Sequence, residues 1–216
     1  MTSREALLSL GVLVSGRGTN LQAILDACEK GEIPARVKVV ISNKPKALAL
    51  ERARAKGVPA FFVNPSDYGR WPDCRPAYEK KLVEILRSYG VELLVLAGYD
   101  RLVGTDILEA FPMRVINIHP ALLPSFPGLG AQKQAFDYGV KVAGATVFFV
   151  DPSVDGGPII LQEACKVEED DTVETLSQRI LEIEHRILPR AIALIAQGRV
   201  RVDGRKVRIL SPTASE

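Results

Sequence analysis

Alternation between short apolar runs and segments of helical spacing constrains the fold of this chain more than any other feature. The run Leu8–Val14 leads through a glycine-rich turn into a helical segment that begins near Leu21. Apolar runs at 36–41 and 60–63 lead to helical segments at about 47–56 and 75–89, and the uninterrupted run 91–97 is typical of a buried central strand. Strand and helix in this order predict right-handed crossovers and a mostly parallel sheet.

The second half of the chain departs from that order. A strand is expected over about 113–119 and a helix near 132–138, followed by apolar runs at 143–150 and 158–167 that we interpret as antiparallel strands. A long helix with Pro189 inside it is expected over 172–197, and a hairpin with an Asp203-Gly204 turn over 200–209. The predicted fold is therefore α/β: a Rossmann-like, mostly parallel sheet with helices on both faces, antiparallel strands in the C-terminal half, and a long helix and hairpin at the end.

Charge and cysteine content narrow the function classes. The 216 residues include 28 basic and 26 acidic side chains, a net charge of +2, which argues against a nucleic-acid or membrane-binding surface. Cys28, Cys74 and Cys165 are widely spaced and only two histidines are present, so we expect no metal site, reduced thiols and a cytoplasmic location. No apolar stretch approaches the roughly 20 residues that a membrane-spanning helix needs.

The turn Gly16-Arg17-Gly18-Thr19-Asn20 lies between the first strand and the first helix. Backbone N–H groups at a helix start bind phosphate well, and Thr19 and Asn20 add side-chain donors. Leu21 stands where a dinucleotide fingerprint needs a third glycine, and the lysine of a P-loop is missing. Two interpretations stay open on the residues alone: a monophosphate site, or a tight turn in which Thr19 or Asn20 caps the helix.

A polar pair marks the end of the strand at 113–119. Asn117 and His119 are two residues apart, so both side chains should project from the same face. Asp155, in a Gly-Gly-Pro turn, is an Asx-turn residue or an acid that orients the imidazole. An amide and an imidazolium together suit the stabilisation of an oxyanion. Two further candidates lie in the long helix. On the residues alone, Glu184 is expected to be a solvated charge and His185 a partly exposed helical histidine.

The motifs together resemble a known family. Ser15-Gly-Arg-Gly-Thr-Asn20, Ile41-Ser-Asn-Lys44, Leu96-Ala-Gly-Tyr99 with Arg101, Asn117-Ile-His-Pro-Ala-Leu-Leu-Pro124 and Asp155-Gly-Gly-Pro-Ile-Ile160 occur in that order. They resemble the phosphoribosylglycinamide formyltransferases, within the superfamily that uses formyl-tetrahydrofolate. The resemblance covers about residues 9–200 and implies a compact formyltransferase unit, with a phosphate-binding half at 1–105 and a catalytic and folate-binding half at 106–216.

The resemblance also implies roles for individual residues. Asn117, His119 and Asp155 match the catalytic trio, and Gly18, Thr19, Asn20 and Glu184 match contacts to the ribonucleotide substrate. The co-substrate, 10-formyltetrahydrofolate, is expected at Arg75, Asp100, Arg101, Leu102, Val103, Asn117, Asp151, Pro152, Ser153, Val154 and Asp155. The expected partners are these small molecules, with no metal, nucleic acid or membrane, and the chain is expected to be a monomer or homodimer.

Two departures and several alternatives accompany the resemblance. Phe148 stands where the family usually has histidine, and Asp100 where methionine is common. Methionyl-tRNA formyltransferase and formyltetrahydrofolate deformylase share the trio, but each is expected to carry a further domain that we do not expect here. A formyltetrahydrofolate hydrolase and a non-catalytic nucleotide-binding sensor remain alternatives to a transferase that acts on glycinamide ribonucleotide.

Overall fold

A computed structural model describes residues 7–212 of the chain. The strands are β1 (Leu8–Val14), β2 (Ala35–Ser42), β3 (Ala60–Phe62), β4 (Leu93–Leu96), β5 (Val115–His119), β6 (Val142–Phe149), β7 (Ile159–Lys166), β8 (Val200–Asp203) and β9 (Lys206–Ile209). The helices are α1 (Thr19–Glu29), α2 (Leu48–Ala55), α3 (Arg75–Ser88), α4 (Thr105–Ala110), α5 (Ala131–Tyr138) and α6 (Val173–Ala196). A 3₁₀ turn spans Pro65–Tyr68.

Seven of these strands form one sheet in the order β3-β2-β1-β4-β5-β6-β7. Pairing is parallel between β1 and β2, β1 and β4, β2 and β3, and β4 and β5, whereas β6 and β7 are antiparallel. The strand order reverses between β1 and β4, and ligands of open α/β sheets bind at the carboxyl ends of the strands beside such a reversal. The predicted fold class is confirmed.

The described chain divides into two compact units, the first ending at Asn117 and the second beginning at Ile118. The division falls inside β5. The halves expected from the sequence, 1–105 and 106–216, stay a prediction.

Continuous apolar runs form the core of the first unit. Leu10, Val12, Leu93 and Val95 are each 0% exposed, as expected of parallel strands that are covered on both faces. This burial fixes the positions of β1 and β4, and therefore where the polar loops that follow them begin.

The second unit is built on α6, which packs against β6 and β7. Its first turn is capped reciprocally: the Thr175 N–H donates to Thr172 Oγ1, and the Thr172 N–H donates to Thr175 Oγ1. Leu176, Ile180 and Ile187 are buried along one side of this helix. Glu184 and His185 lie in the same helix, between Ile180 and Ile187.

Two local expectations differ from the structure. The hairpin turn is shifted by one residue, because Asp203 pairs with Lys206 and the turn residues are Gly204 and Arg205. Helix α4 was not expected, since its six residues include one fully buried side chain, Ile107, and so show no apolar period. No helix among residues 7–212 is both long enough and apolar enough to cross a membrane.

Candidate active site

His119 ends β5 as a buried side chain, 5% exposed, and Asn117 is half-buried on the same strand. Residues two apart on a strand project from the same face, so the amide and the imidazole are directed alike. The other three residues of β5 are apolar and buried, so the position of the strand from which both side chains project is fixed.

The imidazole of His119 has an acceptor on each side. Its Nδ1 lies 3.5 Å from Asp155 Oδ2, and its Nε2 lies 2.8 Å from the Phe126 carbonyl oxygen. A carbonyl oxygen can only accept, so Nε2 carries a hydrogen and donates it. The structure therefore brings the predicted His119 and Asp155 together.

Asp155 is held by its backbone as well as by its contacts. It adopts a left-handed conformation with φ of +49°, and its Oδ2 accepts from the Gly128 N–H at 2.7 Å. Of the two glycines that follow, Gly157 is sterically required, because a Cβ on it would lie 1.7 Å from the Phe149 carbonyl oxygen; a Cβ on Gly156 would lie 2.2 Å from Ser153 Oγ, a side-chain atom that can rotate away. The turn therefore packs closely against the backbone at Phe149, which fixes the position of the Asp155 carboxylate.

The loop after β5 supplies the other groups around this pair. Phe126 also has a positive φ, +56°, and its ring contacts Tyr138 edge-on at 5.8 Å between centroids. Its carbonyl oxygen and the Gly128 N–H are backbone groups, so no residue-type signal in the sequence could have found them. Arg205, in the turn of the β8–β9 hairpin, donates to the Gly156 carbonyl oxygen at 2.6 Å and further secures the turn.

The loop 151–155 contains the Asx turn that was considered for Asp155, but at a different residue. Asp151 Oδ1 accepts from the Ser153 N–H at 2.9 Å and from the Ser153 hydroxyl. Pro152 is exposed and Val154 is 52% exposed. Asp151 is therefore occupied inside its own loop, whereas Asp155 faces the imidazole.

The glycine-rich turn of the first unit begins α1. Gly18, not Thr19 or Asn20, is the N-cap, and no side chain makes a capping hydrogen bond there. Gly18 has φ of +72°, and a Cβ on it would lie 2.6 Å from Ala49 Cβ and 2.7 Å from Ala49 Cα. The interpretation of this turn as a simple side-chain cap is therefore wrong. Thr19 is half-buried and Asn20 is 8% exposed.

Asp100 joins three loops of the first unit. Its Oδ1 accepts from Asn43 Nδ2 at 2.7 Å and from Ser15 Oγ at 2.9 Å, and its Oδ2 lies 3.2 Å from Lys44 Nζ. Burial raises the pKa of Asp100, but hydrogen bonds from Asn43, Ser15 and Lys44 outweigh it, so this pKa is lowered. Where the family resemblance expects methionine, the chain thus has a carboxylate that ties the residue before the glycine-rich turn to the residue after Tyr99.

Helix α3 anchors the segment Tyr99–Gly104 at both ends. The Tyr78 and Tyr99 hydroxyl oxygens lie 3.1 Å apart, and the Gly104 N–H donates to Glu79 Oε1 at 2.6 Å. Burial raises the pKa of Glu79, which is 2% exposed. Between the anchors, Leu102 is 56% exposed and Val103 is half-buried, so the segment presents a fixed backbone with accessible side chains.

Arg75, the first residue of α3, and Arg101 are the basic side chains predicted at the co-substrate site. The Arg75 guanidinium lies beside Gly104, 2.9 Å from where a Cβ would stand. Arg101 stacks on Trp71, with 4.2 Å between the guanidinium carbon and the ring centroid. Trp71 and Arg101 lie thirty positions apart, and no sequence motif links them, so this contact could not be predicted.

Two residues in the long helix and one in β6 complete the predicted set. Glu184 is 6% exposed, so its interpretation as a solvated charge is wrong. His185 is half-buried, and burial lowers its pKa. Phe148, where the resemblance expects histidine, is 2% exposed and belongs to the core of β6.

Within residues 7–212, no cluster of three or more His, Cys, Asp and Glu side chains has the arrangement of a metal site.

Comparisons with known proteins agree with this fold and these motifs. Residues 9–192 match the formyl transferase family. Phosphoribosylglycinamide formyltransferase of Bacillus subtilis is 44% identical over 181 residues, which cover 84% of this chain and 91% of that protein. Glycinamide ribonucleotide transformylase 1 of Symbiobacterium toebii has a crystal structure that matches with a TM-score of 0.92 and 57% identity over 95% of each chain.

A structure from another branch is also similar. A formyltetrahydrofolate deformylase of Pseudomonas syringae matches with a TM-score of 0.87 and 25% identity, over 97% of this chain and 68% of that one. The chain belongs to the formyl transferase family, in the branch of the phosphoribosylglycinamide formyltransferases. The resemblance found in the sequence is confirmed, and with it the interpretation of the chain as an enzyme of this family.

Proposed function

We propose that this chain transfers the formyl group of 10-formyltetrahydrofolate to the amine of glycinamide ribonucleotide. The proposal is supported by the branch of the family and by the names of its relatives. The observation that carries it is the imidazole of His119 held between Asp155 and the Phe126 carbonyl oxygen at the end of β5.

The reaction we propose is a direct acyl transfer. The substrate amine attacks the formyl carbon and forms a C–N bond, so that the carbonyl oxygen becomes an oxyanion. The bond between that carbon and N10 of the folate then breaks, the amine loses a proton and N10 gains one. No enzyme nucleophile is required, and losing one oxyanion donor in such a step typically lowers the rate about 100- to 1000-fold.

His119 and Asn117 would act on the oxyanion. We assign Nε2–H of His119 to it: this hydrogen, which donates to the Phe126 carbonyl oxygen in the free chain, turns to the stronger acceptor when charge develops. The Asn117 amide would donate from the same strand face. Asp155, on the Nδ1 side, orients the ring and stabilises its charged form.

Substrate binding is assigned to two further groups of residues. Gly18, Thr19 and Asn20, at the uncapped start of α1, would bind the ribonucleotide phosphate, and Glu184 would contact the same substrate. Arg75, Asp100, Arg101, Leu102, Val103, Asn117 and residues 151–155 would bind the formyl-folate. Because the Asp100 side chain is engaged with Ser15, Asn43 and Lys44, we assign its contact to the backbone.

An assay of folate product with and without glycinamide ribonucleotide tests this proposal. Tetrahydrofolate should form only when the ribonucleotide is present, together with one equivalent of formylated ribonucleotide. The absorbance change of the folate follows the reaction continuously. Product formed without the ribonucleotide would instead identify a formyltetrahydrofolate hydrolase, and the likeness to a deformylase makes that the second candidate.

Ligand binding without turnover in either mixture would favour a non-catalytic nucleotide sensor.

The other assignments stay predictions: small-molecule partners without nucleic acid or membrane, no metal, a monomer or homodimer, and a cytoplasmic location. Size measurement in solution, with and without substrates, tests the oligomeric assignment.

A further inference from the structure

Arg101 lies between two anchored residues of the first unit and is stacked on an indole. Its guanidinium carbon is 4.2 Å from the Trp71 ring centroid, well within the range of a cation–π interaction. Its Nε atom is buried and has no hydrogen-bond partner among residues 7–212. The guanidinium carbon thus lies over the face of the ring, and a guanidinium has five N–H donors with which it can bind a planar acceptor such as a carboxylate.

The Trp71 ring has a rigid support of its own. It contacts Tyr78 edge-on, with 6.5 Å between centroids and planes inclined at 81°. Tyr78 is 1% exposed, and its hydroxyl oxygen is 3.1 Å from that of Tyr99, two residues before Arg101. The same buried tyrosine therefore supports the indole and the start of the segment that carries the arginine.

We propose that Trp71 is a positioning residue: its ring holds the Arg101 guanidinium in the orientation that receives a carboxylate of the formyl-folate. This inference rests on the proposed function, from which the co-substrate is taken. Arginine side chains lose considerable conformational freedom when they bind, and an arginine already ordered by stacking loses less. Trp71 thus acts through Arg101 and need not touch the folate.

The test is a double-mutant cycle of Trp71→Leu and Arg101→Met, with steady-state kinetics for each substrate. Trp71→Leu should raise the KM for formyl-folate about 2- to 30-fold, the range expected for losing a cation–π contact. The kcat and the KM for glycinamide ribonucleotide should stay close to wild type. In the Arg101→Met background, Trp71→Leu should add no further loss, because its partner is already gone.

Two further variants separate this role from packing. Trp71→Phe keeps an aromatic face and should retain most of the affinity. Tyr68 contacts Tyr78 edge-on at 5.9 Å in the same aromatic cluster, so Tyr68→Leu is the matched control and should leave the KM for formyl-folate unchanged. Equal losses in Tyr68→Leu, or independent losses in the cycle, would overturn the proposal.

The outcome also distinguishes this inference from the proposed function. If the wild-type chain does not transfer formyl to the ribonucleotide, the proposed function is rejected and this inference with it. A wild-type chain with normal transfer, but an unchanged formyl-folate KM in Trp71→Leu, rejects the role of Trp71 alone.

Discussion

The two units hold their predicted site residues by opposite means. In the first unit side chains hold a stretch of backbone: Tyr78 and Glu79 anchor the segment Tyr99–Gly104, and Asp100 ties it to neighbouring loops. In the second unit backbone groups hold side chains: the Phe126 carbonyl oxygen contacts His119, and the Gly128 N–H contacts Asp155. The backbone there also stores strain, since Phe126 and Asp155 both have positive φ angles.

Under the proposed function, this difference separates substrate binding from the chemical step. A surface made of backbone that side chains hold in place should lose affinity gradually as those side chains are changed. A reacting pair held by the backbone should be insensitive to most neighbours but very sensitive to the charge of its own members. Substitutions at Asp155, Gly18 and Asp100 test this contrast, and the largest effect is expected at Asp155.

Asp155→Asn should lower kcat about 100- to 10,000-fold, the range associated with losing a group that controls proton transfer and oxyanion stabilisation. Asparagine tolerates a positive φ and can still accept from the Gly128 N–H, so the substitution removes the charge and leaves the turn in place. The melting temperature should stay near that of wild type. Asp151→Asn is the matched control, because that carboxylate bonds within its own loop; near-wild-type turnover in Asp155→Asn would reject the catalytic assignment.

Gly18→Ala should raise the KM for glycinamide ribonucleotide roughly 10- to 100-fold, because a non-glycine residue at this φ costs about 1–3 kcal/mol and the added Cβ meets Ala49. Steady-state kinetics with the ribonucleotide as the varied substrate measure the effect. Gly16→Ala is the control in the same turn, since a Cβ there meets no atom within 4 Å. Similar KM values in the two variants would show that the turn does not depend on Gly18.

Asp100→Asn should lower the free energy of unfolding at pH 7 by at most about 1 kcal/mol, because the carboxylate is 40% exposed and its ion pair with Lys44 is screened by solvent. The pKa of Asp100 is lowered in the folded chain, below the ordinary 3.8. Its stabilisation is therefore present above that value and is lost as the pH falls below it. In melting curves, the gap between wild type and variant should stay constant from pH 7 to about pH 5 and narrow as the pH falls toward 3; a gap that stays constant throughout would show that the charge contributes nothing.

Periodicity predicted most of the fold because the strands are buried on both faces. The apolar run Leu8–Val14 matches β1 residue for residue, since a polar, glycine-containing turn ends it. Helix α4 was missed because its six residues are too few to show a helical period. Glu184 was misjudged as solvated, although its spacing from Ile180 and Leu188 puts it on the buried side of α6. The helical period was a sufficient signal for that position.

The grouping of candidate site residues was predictable where it depends on residue type and not where it depends on backbone conformation. Asn117 and His119 share a strand, so a period of two was enough to pair them, and the Gly-Gly turn distinguished Asp155. The partner of His119 Nε2 was not predictable, because a carbonyl oxygen belongs to every residue and its direction depends on the φ of +56° at Phe126. The Trp71–Arg101 stack joins residues thirty positions apart with no shared pattern.

The carbonyl oxygen that holds the imidazole has a consequence for how this enzyme can vary. Alanine scanning at position 126 leaves the oxygen in the molecule, and any amino acid supplies an identical one. Selection at position 126 therefore acts on the backbone conformation and not on the identity of the side chain. The amino acid at this position can vary widely while the function persists. Replacing the peptide unit itself, by backbone ester chemistry, is the way to weaken that acceptor directly.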